Sequence, residues 1–227
     1  MNVVSYILDL LFPPKCAFCG RLIKEGDLCP SCEKNLPYRE EAPTLIGEKQ
    51  YPCAVALYYD GPVRAGVKAL KFGKKSWRAK VFARYVAQAA AERLAGEFDA
   101  VTFVPVSLRR NFERGFDQAR LLAEATAEIW GVRAEPTLKK IRHTKAQSSL
   151  TDPTRRKENV KDAYAVPRPE RVRGRRFLLI DDVCTTGNTL AAAADALMEA
   201  GAERVVCAAL AGGHGGARRE NRNNLEN

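Results

Sequence analysis

A pair of adjacent carboxylates, followed by a loop of small and hydroxyl-bearing residues, is the part of this chain best equipped for chemistry. Asp181 and Asp182 offer up to four acceptor oxygens, enough to bind both hydroxyls of a sugar diol. The loop after them combines hydroxyl donors, a conformationally free glycine and exposed backbone amides, which together suit a phosphate group. This Thr/Gly loop consists of Thr185, Thr186, Gly187, Asn188 and Thr189. The spacing predicts a site for a ribose 5-phosphate.

The elements on either side of the Thr/Gly loop must bring both groups to one edge of a sheet. Residues 177–180 form a continuous apolar run, which predicts a strand covered on both faces, and residues 190–200 predict a helix whose N-terminus faces the loop. Open α/β sheets bind ligands at the carboxyl ends of their strands, where the two carboxylates fall. The alternative is structural, because any buried strand can end in Asp and continue through a Thr/Gly turn into a helix.

Four cysteines near the N-terminus have the spacing of a metal site. Cys16 and Cys19 form one CxxC pair, Cys29 and Cys32 form another, and nine residues separate the two pairs. Two such knuckles can place four thiolates around one tetrahedral zinc ion, so a closed, structural Zn2+ site is expected. Redox activity of either pair is the alternative, although a redox dithiol normally opens a helix of a βαβ unit.

The N-terminal segment and the other three cysteines bear on the cellular compartment. Residues 1–12 are apolar but short and lack a basic leader, so we expect an amphipathic helix there and neither secretion nor stable membrane insertion. A cytoplasmic protein keeps its thiols reduced, which favours metal binding over disulfides. None of these three cysteines has a matching partner by spacing: Cys53, Cys184 and Cys207. Cys207 is expected in the core, and Cys184, beside the Thr/Gly loop, is a candidate redox-sensitive thiol.

The formal net charge of +10 is concentrated in two stretches. Residues 64–84 contain eight basic residues and no acidic one, and residues 139–176 contain thirteen basic residues against four acidic ones. Such concentration favours a polyanionic ligand, either a diphosphate or a nucleic-acid backbone. Ordinary solvated helix and loop surface explains it equally well.

The rest of the chain alternates predicted strands and helices. Strands are expected at 54–59, 100–105, 177–180 and 205–210, and helices from residue 62 and at 76–94, 116–130 and 190–200. This order predicts an α/β fold with a mainly parallel, doubly wound sheet. We assign residues 1–38 to the amphipathic helix and a zinc-finger appendage, 39–53 to a connector, 54–211 to the main domain and 212–227 to a flexible tail.

Three further segments are expected around the ligand of the Thr/Gly loop. Residues 104–110 form a strand end and a turn with two cations, where backbone amides and guanidinium groups can receive a diphosphate; an ordinary basic turn is the alternative. Residues 113–118 lead into a helix, and residues 142–159 are basic and suit a lid over the ligand. The candidate diphosphate contacts are Val106, Ser107, Arg109 and Arg110, and the candidate lid residues are Arg142 and Gln147.

The pattern of an apolar strand, DDV, two residues and TGxT resembles the phosphoribosyl-diphosphate motif of type I phosphoribosyltransferases, with Asn188 where many members have a second glycine. The resemblance implies that Asp181 and Asp182 bind the ribose 2- and 3-hydroxyls and that residues 185–189 hold the 5-phosphate. Together with the four-cysteine segment, the stretches YDGPVRAGVKALKF, VPVSLRRNFERGFDQARLLA and RHTKAQSSLTDPTRRKENVKDAY resemble the ComF family, also called the GntX or competence-protein ComF-like family, over about residues 3–211. That family has a type I phosphoribosyltransferase domain behind a zinc finger, and some members are required for DNA uptake.

The resemblance leaves three kinds of function open, one of which is a regulator that senses phosphoribosyl diphosphate. As an enzyme, the protein would bind phosphoribosyl diphosphate with Mg2+ and transfer the phosphoribosyl group to an unidentified acceptor, with Asp181 and Asp182 as catalytic residues, in DNA uptake or nucleotide metabolism. As a non-catalytic module of the transformation machinery, it would bind a 5-phosphoribosyl ligand and single-stranded DNA and act with DNA-uptake proteins.

Overall fold

A computed structural model of the 227-residue chain describes residues 13–72, 77–106, 116–141 and 162–213. The amphipathic helix expected over residues 1–12 lies outside the described residues, as does the tail from residue 214 onward. Within the described ranges, no helix is long and apolar enough to cross a membrane.

A six-stranded sheet in the order β1-β2-β8-β7-β3-β4 forms the centre of the main domain. Edge strand β1 runs antiparallel to β2, and every other neighbouring pair is parallel. A separate antiparallel pair, β5 and β6, lies outside this sheet. The strands are β1 (Thr44–Ile46), β2 (Tyr51–Tyr58), β3 (Ala100–Phe103), β4 (Ala134–Glu135), β5 (Lys139–Lys140), β6 (Tyr164–Ala165), β7 (Arg176–Cys184) and β8 (Arg204–Gly212). The mainly parallel sheet predicted from the β/α alternation is confirmed.

Helices cover both faces of the sheet because its central strands are apolar on both sides. In β7, Leu178 and Ile180 belong to the hydrophobic cluster under α3 and α4, whereas Phe177 and Leu179 belong to the cluster under α5, and all four side chains are fully buried. This is the doubly wound arrangement. The helices are α1 (Pro30–Asn35), α2 (Gly61–Phe72), α3 (Arg78–Arg93), α4 (Gln118–Ile129) and α5 (Asn188–Glu199).

The segment expected to be a connector, residues 39–53, contributes β1 and the first residues of β2 to the sheet. Where the connector begins, the chain pairs with the part of β2 that extends beyond β1: Arg39 N donates to Ala56 O at 3.0 Å and Tyr58 N donates to Pro37 O at 2.8 Å. Backbone pairing of this kind leaves no side-chain periodicity, so a polar stretch rich in Pro and Glu gives no sign of it.

The four-cysteine segment, expected to be an appendage, packs into the core of the main domain. Phe18, between Cys16 and Cys19, is buried, and its ring centroid lies 4.9 Å from that of Phe82 and 5.5 Å from that of Tyr85, both on α3. Helix α2 also approaches closely, because a Cβ on Gly66 would lie 3.1 Å from Phe18 Cα and 3.2 Å from Ala17 O. The first knuckle and the main domain therefore share one hydrophobic core.

Candidate functional site

The carboxylate pair lies within the last four residues of β7. The strand continues to Cys184, so Asp181 and Asp182 lie in the strand and not after its end, in contrast to the prediction that it would end with residue 180. Asp181 pairs in register with Ala209 of β8, and its Oδ1 accepts a hydrogen bond from the backbone N–H of Asp182 at 2.8 Å. Asp182 is the more buried of the two. Both carboxylates lie at the carboxyl edge of the parallel sheet, as expected.

The Thr/Gly loop carries the chain directly from β7 into α5. Thr185 and Thr186 are exposed, Gly187 is buried, and the helix begins at Asn188, two residues earlier than the apolar pattern indicates. Gly187 is the N-cap residue and has a φ of +75°, a conformation that costs glycine little. Because a glycine N-cap has no side-chain acceptor, the first-turn amides of α5 can donate to an anion at this end of the helix.

The neighbouring strand β3 brings Val106 to the same edge. Phe103 pairs with Ile180, and Val104 N donates to Ile180 O at 3.0 Å, so the chain leaves β3 beside the carboxylate pair. Of the four candidate diphosphate contacts, Val106 is described by the structure, and Ser107, Arg109 and Arg110 lie outside the described residues.

Asp117 holds the chain that follows β3 in position at Val106. It belongs to the segment 113–118, which was expected near the ligand, but it was not singled out as a site residue. Its Oδ2 accepts a hydrogen bond from Val106 N at 2.9 Å, and its Oδ1 accepts one from Arg120 N at 3.1 Å, which caps α4. Burial raises the pKa of the Asp117 carboxyl, the amide donors partly oppose this, and the charge of Asp182 adds to the rise. The helix was expected to begin at residue 116, whereas α4 begins at Gln118, so the prediction placed Asp117 inside the helix and hid its N-cap position.

The two short strands on either side of the proposed lid segment pair with each other. Lys140 of β5 pairs with Tyr164 of β6, and Ile141 N donates to Ala163 O at 2.9 Å, so residues 141 and 163, which flank the segment, are neighbours. Helix α5, which starts at the Thr/Gly loop, packs against β6. Arg142 and Gln147 themselves lie outside the described residues.

The four N-terminal cysteines converge as predicted. Their Sγ atoms all lie within 4.8 Å of one another, and those of Cys19 and Cys29 are 3.6 Å apart. A tetrahedral zinc ion with Zn–S bonds of about 2.3 Å needs Sγ atoms about 3.8 Å apart, so the cluster fits the ion. Although burial raises the pKa of Cys16, hydrogen bonds from backbone amides, including those of Cys29 and Cys19, outweigh it and lower the value to about 6. These amides favour the thiolate, the form that binds metal.

The second knuckle resembles a redox motif locally, since Cys29 is the residue before α1 and Cys32 lies in its first turn. The first knuckle lies against it, however, and three of the four cysteines are buried. A single site with four thiolates explains both knuckles, whereas a dithiol redox centre uses one. These residues therefore form a structural zinc site.

The other three cysteines lie in the hydrophobic cluster under α5. Cys207 is fully buried in β8, which confirms its expected place in the core. Cys53 on β2 and Cys184 at the end of β7 are also buried, and interaction with the Cys53 thiol is the largest cause of a lowered pKa of Cys184, with burial opposing it. The spacing of the cysteines in the sequence gives no sign of this interaction between Cys53 and Cys184. Its redox sensitivity stays a prediction.

The fold and the two sites define a class of protein, a type I phosphoribosyltransferase fold joined to a zinc ribbon. A family model described as a phosphoribosyl transferase domain matches residues 117–225, and one described as a double zinc ribbon domain matches residues 7–50. The second match covers the four cysteines, and the first covers β7, the Thr/Gly loop and α5.

The similar proteins give the family. The DNA utilization protein YhgH of Salmonella typhi is 32% identical over 209 residues, which cover 84% of this chain and 86% of that protein. Competence protein F of Haemophilus influenzae is 30% identical over 200 residues, with the same coverage of each chain. The chain therefore belongs to the family of these proteins, the ComF family.

Among solved structures, the chain is similar to a glutamine phosphoribosylpyrophosphate amidotransferase from B. subtilis complexed with ADP and GMP. The two are 24% identical with a TM-score of 0.41, and the match covers 64% of this chain and 27% of the amidotransferase.

Proposed function

We propose that this protein binds phosphoribosyl diphosphate at the carboxyl edge of its sheet. The observation that supports this is the register of β7 with β3. It brings together a carboxylate pair, the N-terminus of α5, which has no side-chain cap, and the chain that follows β3 as far as Val106. Phosphoribosyl diphosphate has three parts that suit these three groups in turn: a sugar diol, a monophosphate and a diphosphate.

Each part of the ligand has a partner in this proposal. Asp181 and Asp182 accept hydrogen bonds from the ribose 2- and 3-hydroxyls, and the hydroxyls and amides of residues 185–189 donate to the 5-phosphate. The diphosphate lies against the amides after Val106 and against Ser107, Arg109 and Arg110, and Arg142 and Gln147 belong to a lid that excludes water. Mg2+ accompanies the diphosphate, because this ion binds mainly to phosphate oxygens and a few carboxylates or hydroxyls.

As an enzyme, the protein would transfer the phosphoribosyl group. The bond between ribose C1 and the diphosphate oxygen breaks with both electrons leaving on pyrophosphate, and an acceptor nucleophile forms the new bond to C1. Positive charge develops on the sugar ring as the old bond breaks, and the carboxylates of Asp181 and Asp182 stabilise it while they orient the ribose. The protein thus contributes positioning and electrostatics, and the acceptor provides the nucleophile.

Binding is tested by calorimetric titration of the full-length protein with phosphoribosyl diphosphate and Mg2+. Asp181→Asn with Asp182→Asn is expected to weaken binding by about ten- to a hundredfold, because two charged acceptors are lost. Asp99→Asn is the matched control: Asp99 precedes β3 at the opposite edge, where its carboxylate pairs with Arg176 at 3.2 Å. Unchanged affinity in the Asp181/Asp182 variant would refute the proposed site.

Catalysis needs a separate measurement, because binding alone is compatible with a non-catalytic module. Pyrophosphate release is followed while nucleobases, amines and nucleic acids are offered as acceptors. Release that depends on an acceptor and is lost in the Asp181/Asp182 variant establishes transfer. Binding without release from any of these acceptors favours the module.

A role in handling DNA is the second candidate, and the names of the relatives favour it. One relative is named for DNA utilization and another for competence, and this chain has a net charge of +10. We propose that it acts in the cytoplasm with DNA-uptake proteins and binds single-stranded DNA through its basic surface. Affinity for a single strand should then fall steeply as salt rises, because phosphate contacts release counterions. A flat salt response contradicts this candidate.

A further inference from the structure

Arg78 is a buried cation beside the zinc site. It is the first residue of α3, and its side chain is among the largest fully buried ones in the described part of the protein, with 1% of the residue exposed. Its guanidinium group donates hydrogen bonds to Ala17 O and, at 3.5 Å, to Phe18 O, the two carbonyls inside the first CxxC knuckle. A residue 60 positions away in the chain therefore holds the turn that carries Cys16 and Cys19.

The charge of Arg78 has no carboxylate partner among the described residues, where every ion pair involves other cations. Its Nε atom also has no hydrogen-bond partner there. Cys16 and Cys19 flank the two carbonyls that Arg78 contacts, and they supply opposite charge there when they bind zinc as thiolates. Two neutral carbonyls compensate a buried guanidinium charge only in part, so negative charge at the knuckle stabilises Arg78.

A zinc ion with four thiolates provides that charge. The ion neutralises two of the four ligand charges, which leaves two negative charges on the centre. Three of the four cysteines are buried, so these charges are not fully screened by solvent.

We propose that Arg78 is the counter-charge of the zinc centre and couples zinc binding to the stability of the phosphoribosyltransferase domain. With zinc bound, Arg78 compensates the charge of the centre and holds the knuckle against α3. Without zinc, the same guanidinium is a buried cation that lacks a full partner, and α3, which packs on β2 and β8, loses stability at its first residue. The zinc ribbon and the main domain then unfold as one cooperative unit.

The first test measures zinc release from the full-length protein to a chromogenic chelator. Arg78→Gln removes the charge and keeps a hydrogen-bond donor, whereas Arg78→Lys keeps the charge. Zinc release is expected to be at least about tenfold faster in Arg78→Gln than in the unaltered protein. The release rate of Arg78→Lys should be much closer to that of the unaltered protein. The matched control is Arg84→Gln: Arg84 lies on the same helix, is exposed, and pairs with Asp27 of the ribbon at 2.8 Å. Its release rate should stay within about threefold.

Equal release from Arg78→Gln and Arg78→Lys would overturn the proposal, because hydrogen bonding and not charge would then explain the role of Arg78. So would a rate in Arg78→Gln that matches the Arg84→Gln control.

The second test uses the unaltered protein, so it does not depend on a variant that folds. Urea unfolding is followed by tryptophan fluorescence with zinc bound and after its removal by a chelator. Loss of zinc should shift the transition of the whole chain to lower urea as a single step. A main-domain transition at an unchanged midpoint would overturn the coupling.

A double-mutant cycle tests whether the effect of Arg78→Gln on stability depends on the zinc ion. In a zinc-free background made by Cys19→Ser with Cys32→Ser, Arg78→Gln should be neutral or stabilising, because the buried cation no longer has its counter-charge. In the zinc-bound protein, the same change should destabilise. Equal destabilisation in both backgrounds contradicts the proposal.

Discussion

Gly187 of the Thr/Gly loop lies directly against Ile46 of edge strand β1. A Cβ added to Gly187 would be 2.6 Å from the Cβ of Ile46, closer than real Cβ contacts. Strand β1 therefore forms one wall of the loop that enters α5, and it comes from a part of the chain 141 positions earlier. The conformation of the loop depends on this strand as well as on the glycine.

Replacement of Gly187 by alanine should destabilise the protein strongly. The positive φ of Gly187 disfavours a side chain by about 1–2 kcal/mol, and the contact with Ile46 adds an overpacking cost of about 1–3 kcal/mol. Gly174→Ala is the matched control, because Gly174 has a φ of +69° with nothing within 4 Å of an added Cβ. This variant should therefore show only the cost of the positive φ and no overpacking cost. Urea unfolding measures both, and equal losses would show that the Ile46 contact is unimportant.

Asp117 should influence both stability and its pH dependence. Asp117→Ala removes the cap of α4 and the acceptor for Val106 N, and is expected to lower the free energy of unfolding by about 1–2 kcal/mol. Because burial raises the pKa of Asp117, the ionised carboxylate carries a folding cost at neutral pH that is relieved as pH falls through the folded-state value.

The pH effect is isolated by comparison with Asp117→Asn, which does not ionise. Between the raised pKa of Asp117 in the folded protein and its value of about 3.9 in the unfolded chain, the stability of the unaltered protein relative to this variant should increase as pH falls. A relative stability that decreases with acid contradicts the burial of this carboxylate.

The ion pair between Glu135 and Arg175 should contribute modestly to the free energy of unfolding. Arg175 Nη1 and Nη2 donate to the two Glu135 oxygens at 3.0 and 2.6 Å, but about a third of each side chain is exposed. After solvent screening we expect a coupling of about 0.5–1 kcal/mol in a double-mutant cycle of Glu135→Gln and Arg175→Met. The hydrogen bonds from Arg175 lower the pKa of Glu135, so the coupling is present above about pH 4.3 and is lost as pH falls through the lowered value. A coupling that persists in acid contradicts this assignment.

Zinc content should distinguish the four clustered cysteines from the others. Freshly purified protein is expected to hold about one zinc per chain, measured by elemental analysis, and Cys16→Ser or Cys32→Ser should lose most of it and unfold at lower urea. Cys53→Ser is the control, because Cys53 is buried in another cluster and should leave the zinc content unchanged. Retention of zinc by the Cys32 variant would exclude the four-thiolate site.

Much of the fold could be predicted from local patterns. The apolar run before Asp181 indicates a strand buried on both faces, and β7 has fully buried side chains on both sides. The helix expected from residue 62 begins at Gly61, and the helix expected at 116–130 begins and ends within two residues of those positions. Strand ends were less accurate: β7 continues through Asp181 and Asp182 because backbone pairing with β8 does not require apolar side chains.

The sequence by itself determined the β/α alternation, the two cysteine knuckles and the carboxylate pair with its Thr/Gly loop. All three are properties of neighbouring residues, whose periodicity and spacing reflect which face is buried and which groups share a turn. Tertiary structure alone decided that β1 lies against Gly187, that Asp117 holds Val106 and that Arg78 donates to the first knuckle. Contacts of that kind join segments far apart in the chain, and their energy depends on packing and on the burial of charge, neither of which leaves a local pattern.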